Sequence, residues 1–173
     1  MAHRKTELLR GFATSKKRDL DRFDQGMVLQ EAFRCSIREL RLRVVKDRIG
    51  LAMHCLTAAK RALKNRPVSY RLIIGRSYYA MYHAARAVAF LSHGGDDHEA
   101  HDKLPGQLPN DFADRANWEN VLKNARLDRN RADYDPYPKK DAAFRQTAFE
   151  TCSAALDLIQ ECRSYLRSKG CQV

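Results

Sequence analysis

The chain has 173 residues, and its 32 lysines and arginines against 21 acidic residues give a formal net charge of +11. That length fits one domain with an appendage, and that charge favours acidic partners, nucleic acid first among them. Five widely spaced cysteines without a C-x-x-C pair argue against a disulfide framework and a zinc site, and no apolar run approaches the roughly 18 residues of a membrane span, so a cytoplasmic protein is expected.

Residues 1–22 mix basic residues with few apolar ones and read as a basic arm, either solvated and partly disordered or tracking a phosphate backbone through Lys16-Lys17-Arg18. From Gln25 to Leu42 the spacing of Met27, Val28, Ala32, Phe33 and Ile37 carries a helix. A first bundle helix is expected from Leu40 to Asn65, where Val44, Val45, Ile49, Ala52, Cys55, Leu56, Ala59 and Leu63 recur at three and four. Gly50 is the position where it would kink or divide.

The organising stretch is Ser69–Leu91, free of proline, with Ser69 as N-cap and Gly94-Gly95 as terminator. Ile74, Tyr78, Met81, Ala85 and Val88 form a core stripe on it. The neighbouring stripe, Arg76, Tyr79, Ala80, His83 and Ala87, sets polar groups in a row on a helix with hardly any solvated face, so each needs a partner.

A histidine-bearing loop follows, with His93, His98 and His101 near Asp96, Asp97 and Asp102; no third ligand sits at a recognisable metal spacing, so a solvated loop is expected. A third helix is expected from Phe112 to about Asp128, running into the arginine-rich stretch Arg126–Tyr137, and a fourth from Asp141, its cap, to Arg167. No strand alternation appears. The expected class is all-α: a four-helix up-and-down bundle over 46–168, with a helical or partly disordered extension at 1–45 and a tail at 169–173.

The segments RSYYAMYHAARAVAF (Arg76–Phe90) and RNRADYDPY (Arg129–Tyr137) resemble the HEPN superfamily, in particular its small stand-alone bacterial and archaeal branch with a YYAMFHAAR-type helix and an R-x-x-A-D-Y segment. The resemblance implies a four-helix bundle that forms homodimers. In many members it implies RNA cleavage without metal or cofactor, through an arginine followed four to six residues later by a histidine. It also implies the toxin of a toxin–antitoxin or phage-defence module, with a nucleotidyltransferase-type antitoxin or another defence protein as partner. Arg129 matches the family arginine, whereas Tyr134 stands where ribonuclease members carry histidine.

Metal-free cleavage needs a base for the 2′-hydroxyl, an acid for the leaving oxygen and donors around the phosphorane. Arg129 would supply the donors, with Tyr134 and His83 as proton handlers; a tyrosine is a weak base at neutral pH, and histidine titrates closer to it. Arg76, Arg126 and Arg131 are the candidate phosphate or RNA contacts, Tyr79 and Asp133 the orienting groups, and Tyr137, at a different spacing, the nearest candidate for the tyrosine that the partner enzyme modifies in related toxins. Three alternatives stand beside catalysis. The chain is a degenerate HEPN module that binds RNA, a nucleotide or a partner without cleaving; or Tyr78, Tyr79 and Tyr82 are bundle packing and His83 a core histidine; or Arg76 forms a buried pair with Asp133. The nucleic-acid readings require Arg129 and the polar row of the central helix to meet in a cleft open to a phosphate.

Overall fold

The computed structural model describes residues 2–173, with side chains from Arg4 onward, and every regular element among them is helical. Six helices run in order: α1 (Ala2–Ala13), α2 (Lys17–Phe33), α3 (Ile37–Ala62), α4 (Tyr70–His93), α5 (Arg115–Tyr134) and α6 (Arg145–Ser168), with single 3-10 turns at Leu104–Gln107 and Asp141–Phe144. The chain divides into two compact units at Leu40/Arg41.

In the first unit the basic arm is helical over Ala2–Ala13, and α2 contains no buried residue. The run expected as one helix over Gln25–Leu42 is broken. Arg34 adopts a left-handed φ of 51° that ends α2, and Ser36 and Glu39 then form a capping box that starts α3. Glu39 Oε2 accepts from the Ser36 backbone N–H and hydroxyl, both at 2.7 Å, and the Glu39 N–H donates to Ser36 Oγ at 3.2 Å.

The second unit holds the core. α3 runs unbroken through Gly50, burying Val45, Ile49, Ala52, Cys55, Leu56, Ala59 and Ala62. α4 buries 13 of its 24 residues, more than any other helix, which makes it the centre of the bundle. Its expected core stripe, Ile74, Tyr78, Met81, Ala85 and Val88, is at most 2 % exposed throughout. Gly94 ends it with a φ of 76°, a conformation favouring glycine, and its N–H donates to Phe90 O at 3.0 Å.

Residue pairings give the topology. Arg48 lies over the Phe90 ring while Cys55, about two turns on, feels the charge of Arg76, so α3 runs against α4. Tyr79 meets Arg129 and Arg71 meets Ala132, so α5 also runs against it. Tyr70 meets Asp141 at one end and Ser92 meets Tyr165 at the other, so α6 runs with it. The result is the expected up-and-down bundle. Cys55, Cys152, Cys162 and Cys171 are buried and Cys35 half-buried, all as free thiols, and no helix among the described residues is long and apolar enough to cross a membrane.

Two local expectations fail for tertiary reasons. The loop after α4 is not solvated: Leu104, Leu108 and Phe112 are buried in the core, and α5 begins only at Arg115. Asp141 does not cap the last helix. Its carboxylate accepts the Tyr70 N–H at 2.6 Å and the Arg71 N–H at 3.2 Å, capping α4, whose own Ser69 makes no side-chain cap bond. Replacing Asp141 with alanine should therefore cost about 1–2 kcal/mol in urea unfolding, and Ser69→Ala almost nothing; the reverse order would restore the local cap.

Candidate functional site

α5 runs through Tyr134, so the arginine-rich stretch lies on its last turns and not in a loop beyond the helix. Helical spacing then decides a pairing. Arg129 and Asp133 are four apart on one face, and Arg129 Nε sits 3.0 Å from Asp133 Oδ2. The expected Arg76–Asp133 pair does not form, because α5 supplies its own arginine; Arg76 is exposed.

The rest of the Arg129 guanidinium is also engaged. Nη2 donates to the Tyr79 hydroxyl at 2.5 Å and Nη1 to Asn130 Oδ1 at 2.9 Å. The rings of Tyr78, Tyr79 and Tyr134 lie 5.8, 5.3 and 5.5 Å from Cζ, close enough for cation–π attraction. The side chain is 15 % exposed, and its Nε is buried and not aligned for a hydrogen bond. The arginine and the α4 row do meet, as expected, but tyrosine rings enclose the cation at the junction, so the cleft open to a phosphate that was expected there does not form, and contact with a nucleic acid falls to the exposed side chains elsewhere.

His83, one turn along α4 from Tyr79, is half-buried, its ring 6.4 Å from that of Tyr79 and 5.1 Å from that of Tyr82. Burial, reinforced by Arg86, Arg48 and His101, holds its pKa below the usual histidine value, so the ring is neutral at pH 7.

A second imidazole belongs to the same cluster. His101 reaches back from the loop after α4, stacks on Tyr82 with ring centres 4.1 Å apart, and places Nδ1 2.6 Å from the Tyr78 hydroxyl. Burial pushes the Tyr78 hydroxyl up to about 12, while burial and then the nearby arginines push His101 down. The proton arrangement that follows has the phenol donating to a neutral imidazole. Tyr82 donates to Glu99 O at 2.6 Å and accepts from Arg86 Nη1 at 3.1 Å. Arg86 and Arg48 both grip Asp96, whose pKa they hold below the usual carboxylate range. His93 and His98 face each other instead, so the three histidines do not converge, and no group of three or more candidate metal ligands occurs among the described residues.

This latch carries a pH dependence. In the unfolded chain histidine titrates near pH 6.5, whereas His101 and His83 resist protonation in the fold. As pH falls below about 6.5 the unfolded state binds more protons, so stability present above that value is lost. The melting temperature is expected to fall between about pH 7.5 and about pH 5, more steeply than in His101→Gln. Asp96 titrates well below that window and contributes no slope within it.

The other expected site residues divide by exposure. Arg126 is half-buried, with its Nε shielded and without a hydrogen-bond partner. Arg131 is exposed at the end of α5, its guanidinium 5.8 Å from the Phe144 ring. Tyr134 is 72 % exposed and Tyr137 63 %. Lys139 and Lys140 are exposed beyond them. Sequence reasoning missed Arg71, which organises this segment: Nη1 donates to Ala132 O and Asp135 O, both at 2.7 Å, and Nη2 to Pro138 O at 2.9 Å. Its acceptors lie 61 to 67 residues away, beyond any local signal. It also missed Arg48 and Arg86.

With the geometry in place, comparison of the sequence with protein families finds a match over residues 45–168 to the model described as HEPN domain. No curated protein matches the chain.

Proposed function

The chain belongs to the HEPN domain family, and from that premise we propose that it binds RNA or a nucleotide without cleaving it. Membership of that family supports an RNA- or nucleotide-related role. The observation that carries the finer reading is the state of Arg129: bonded to Tyr79 and Asn130, paired with Asp133 and enclosed by three rings, it is turned to protein partners rather than to a scissile phosphate. At the position of the family histidine stands Tyr134, whose phenol is a poor base at neutral pH.

What the surface does offer suits binding. Arg76, Arg131, Lys139 and Lys140 are exposed cations, and Tyr134 and Tyr137 are exposed rings on and just beyond α5. Cations hold phosphates while aromatic faces stack on unpaired bases, the combination by which single-stranded RNA is recognised.

A second reading, a metal-independent ribonuclease toxin acting across a homodimer, is favoured by one feature: neutral His83 lies beside Tyr79, which holds Arg129. End-labelled single-stranded RNA incubated in EDTA separates the two. Expected is binding that weakens with salt, by about 0.7 in log K per log salt for each phosphate contact, with the strand intact. Arg76→Ala with Arg131→Ala should lower that slope, and Tyr134→Ala should cost about 1–3 kcal/mol for each base it stacks. Cleavage that survives chelation and disappears in His83→Ala would establish the ribonuclease instead, and absence of binding at low salt would sink both.

A further inference from the structure

A groove between α3 and α6 shares no residue with the α4–α5 site. It is open to solvent, offers about 930 Å³, and is lined by Lys46, Ile49, Gly50 and Met53 of α3 and Arg163 and Arg167 of α6, together with the segment after α6.

Charge is the first observation. Three cations face one carboxylate, Asp47, along the lining. Lys46 and Arg163 form no ion pair among the described residues, and Arg163 Nε is buried without a hydrogen-bond partner. The guanidinium of Arg163 therefore lines an open groove with no carboxylate paired to it among the described residues. Arg167 Nε is turned to Val173 O at 2.8 Å.

Gly50 is the second. It sits inside α3, where glycine is among the least favourable residues, yet its φ is not left-handed and a Cβ built on it would meet nothing within 4 Å. Neither a turn nor internal packing asks for glycine there. Its absence of side chain leaves helix backbone bare on the groove wall, in a lining that also holds Ile49 and Met53.

We propose that this groove binds a small organic anion with an apolar body, its phosphate or carboxylate held by Lys46, Arg163 and Arg167 and its body laid over Gly50, Ile49 and Met53. Two sources share that chemistry, an aliphatic carboxylate and a nucleoside monophosphate.

Calorimetric titration of the full chain with dodecanoate and, separately, with adenosine monophosphate tests it, with inorganic phosphate as the bare anion. One of the first two is expected to bind at one site per chain, at least about tenfold more tightly than phosphate, and the one that does names the source. Arg163→Met, which keeps the stem and removes the charge, should weaken it about tenfold or more, and Gly50→Leu should abolish it while melting no lower than the parent. Binding of neither probe, or binding indifferent to both substitutions, would overturn the site. Phosphate binding as tightly as either would overturn the apolar body. A Gly50→Leu chain that fails to fold would contradict the open groove wall, and Arg163→Met then tests the anion contact alone.

Discussion

Arg71→Ala is expected to destabilise the bundle by about 3 kcal/mol, lowering the melting temperature by about 6–12 °C for a chain of this size. The guanidinium holds Ala132 O and Asp135 O at 2.7 Å and Pro138 O at 2.9 Å, lies 3.9 Å from Asp141, and covers the Phe144 ring at 4.2 Å. Ala132 stands in the last turn of α5, where carbonyls lack helical partners, so Arg71 does from another helix what a C-cap would do locally. Truncation leaves those carbonyls to water or to nothing, and hydrogen bonds from a charged donor contribute about 1.5–3 kcal/mol each before allowance for exposure. The side chain is 24 % exposed, which tempers the sum.

Lysine at this position keeps the charge but lacks the planar fork, so Arg71→Lys should recover less than half of the loss. Because Arg71 touches Asp141, the double substitution with Asp141→Ala should cost less than the two singles added. The segment carrying Tyr137, Lys139 and Lys140 would loosen with it, so RNA affinity should fall in the same variant. A loss below about 1 kcal/mol in urea unfolding would show that those carbonyls are satisfied without the arginine.

Arg129→Ala is the second large effect, and its two consequences separate. Stability should fall by about 2 kcal/mol, since the Tyr79 hydroxyl loses its donor, Asp133 its counter-charge and three tyrosine rings the cation they pack against. That figure is discounted because Asp133 is 37 % exposed and its ion pair is partly screened. Tyr79→Phe, which removes one hydrogen bond and keeps the ring, should cost about 1 kcal/mol.

RNA affinity in Arg129→Ala should fall less than tenfold, by way of Tyr134 losing its support, and less than in the Arg76→Ala, Arg131→Ala pair. An arginine that gripped phosphate directly would show the reverse order together with a lowered salt slope. Unchanged stability with abolished binding would place Arg129 on the nucleic acid and remove the structural role argued for it.

The composition, the helices and their buried faces were legible in the residues because those signals are local. The apolar spacing of Ile74, Tyr78, Met81, Ala85 and Val88 repeats within a few turns, and Ser69 and Gly94 bracket α4 as observed. Even the Ser36–Glu39 box that divides α2 from α3 is a four-residue pattern; the continuous apolar spacing across it was the more misleading signal. The Arg129–Asp133 pair was equally local once α5 runs to Tyr134, and it was missed only because the helix was expected to end near Asp128.

Partner choice between distant residues was another matter. Asp141 caps a helix about 70 residues upstream, Arg129 bonds a tyrosine 50 residues away, and His101 docks on Tyr78 across 23 residues. Many carboxylates, tyrosines and histidines in this chain carry the chemistry for those bonds, and nothing in their neighbours selects among them. Selection came from the packing of α4 against α3, α5 and α6, which brings a few polar groups into a dry junction where each must find a partner. From the residues alone follow a basic helical bundle and the members of its polar row; whether Arg129 is open or enclosed was decided by the helices that close around it.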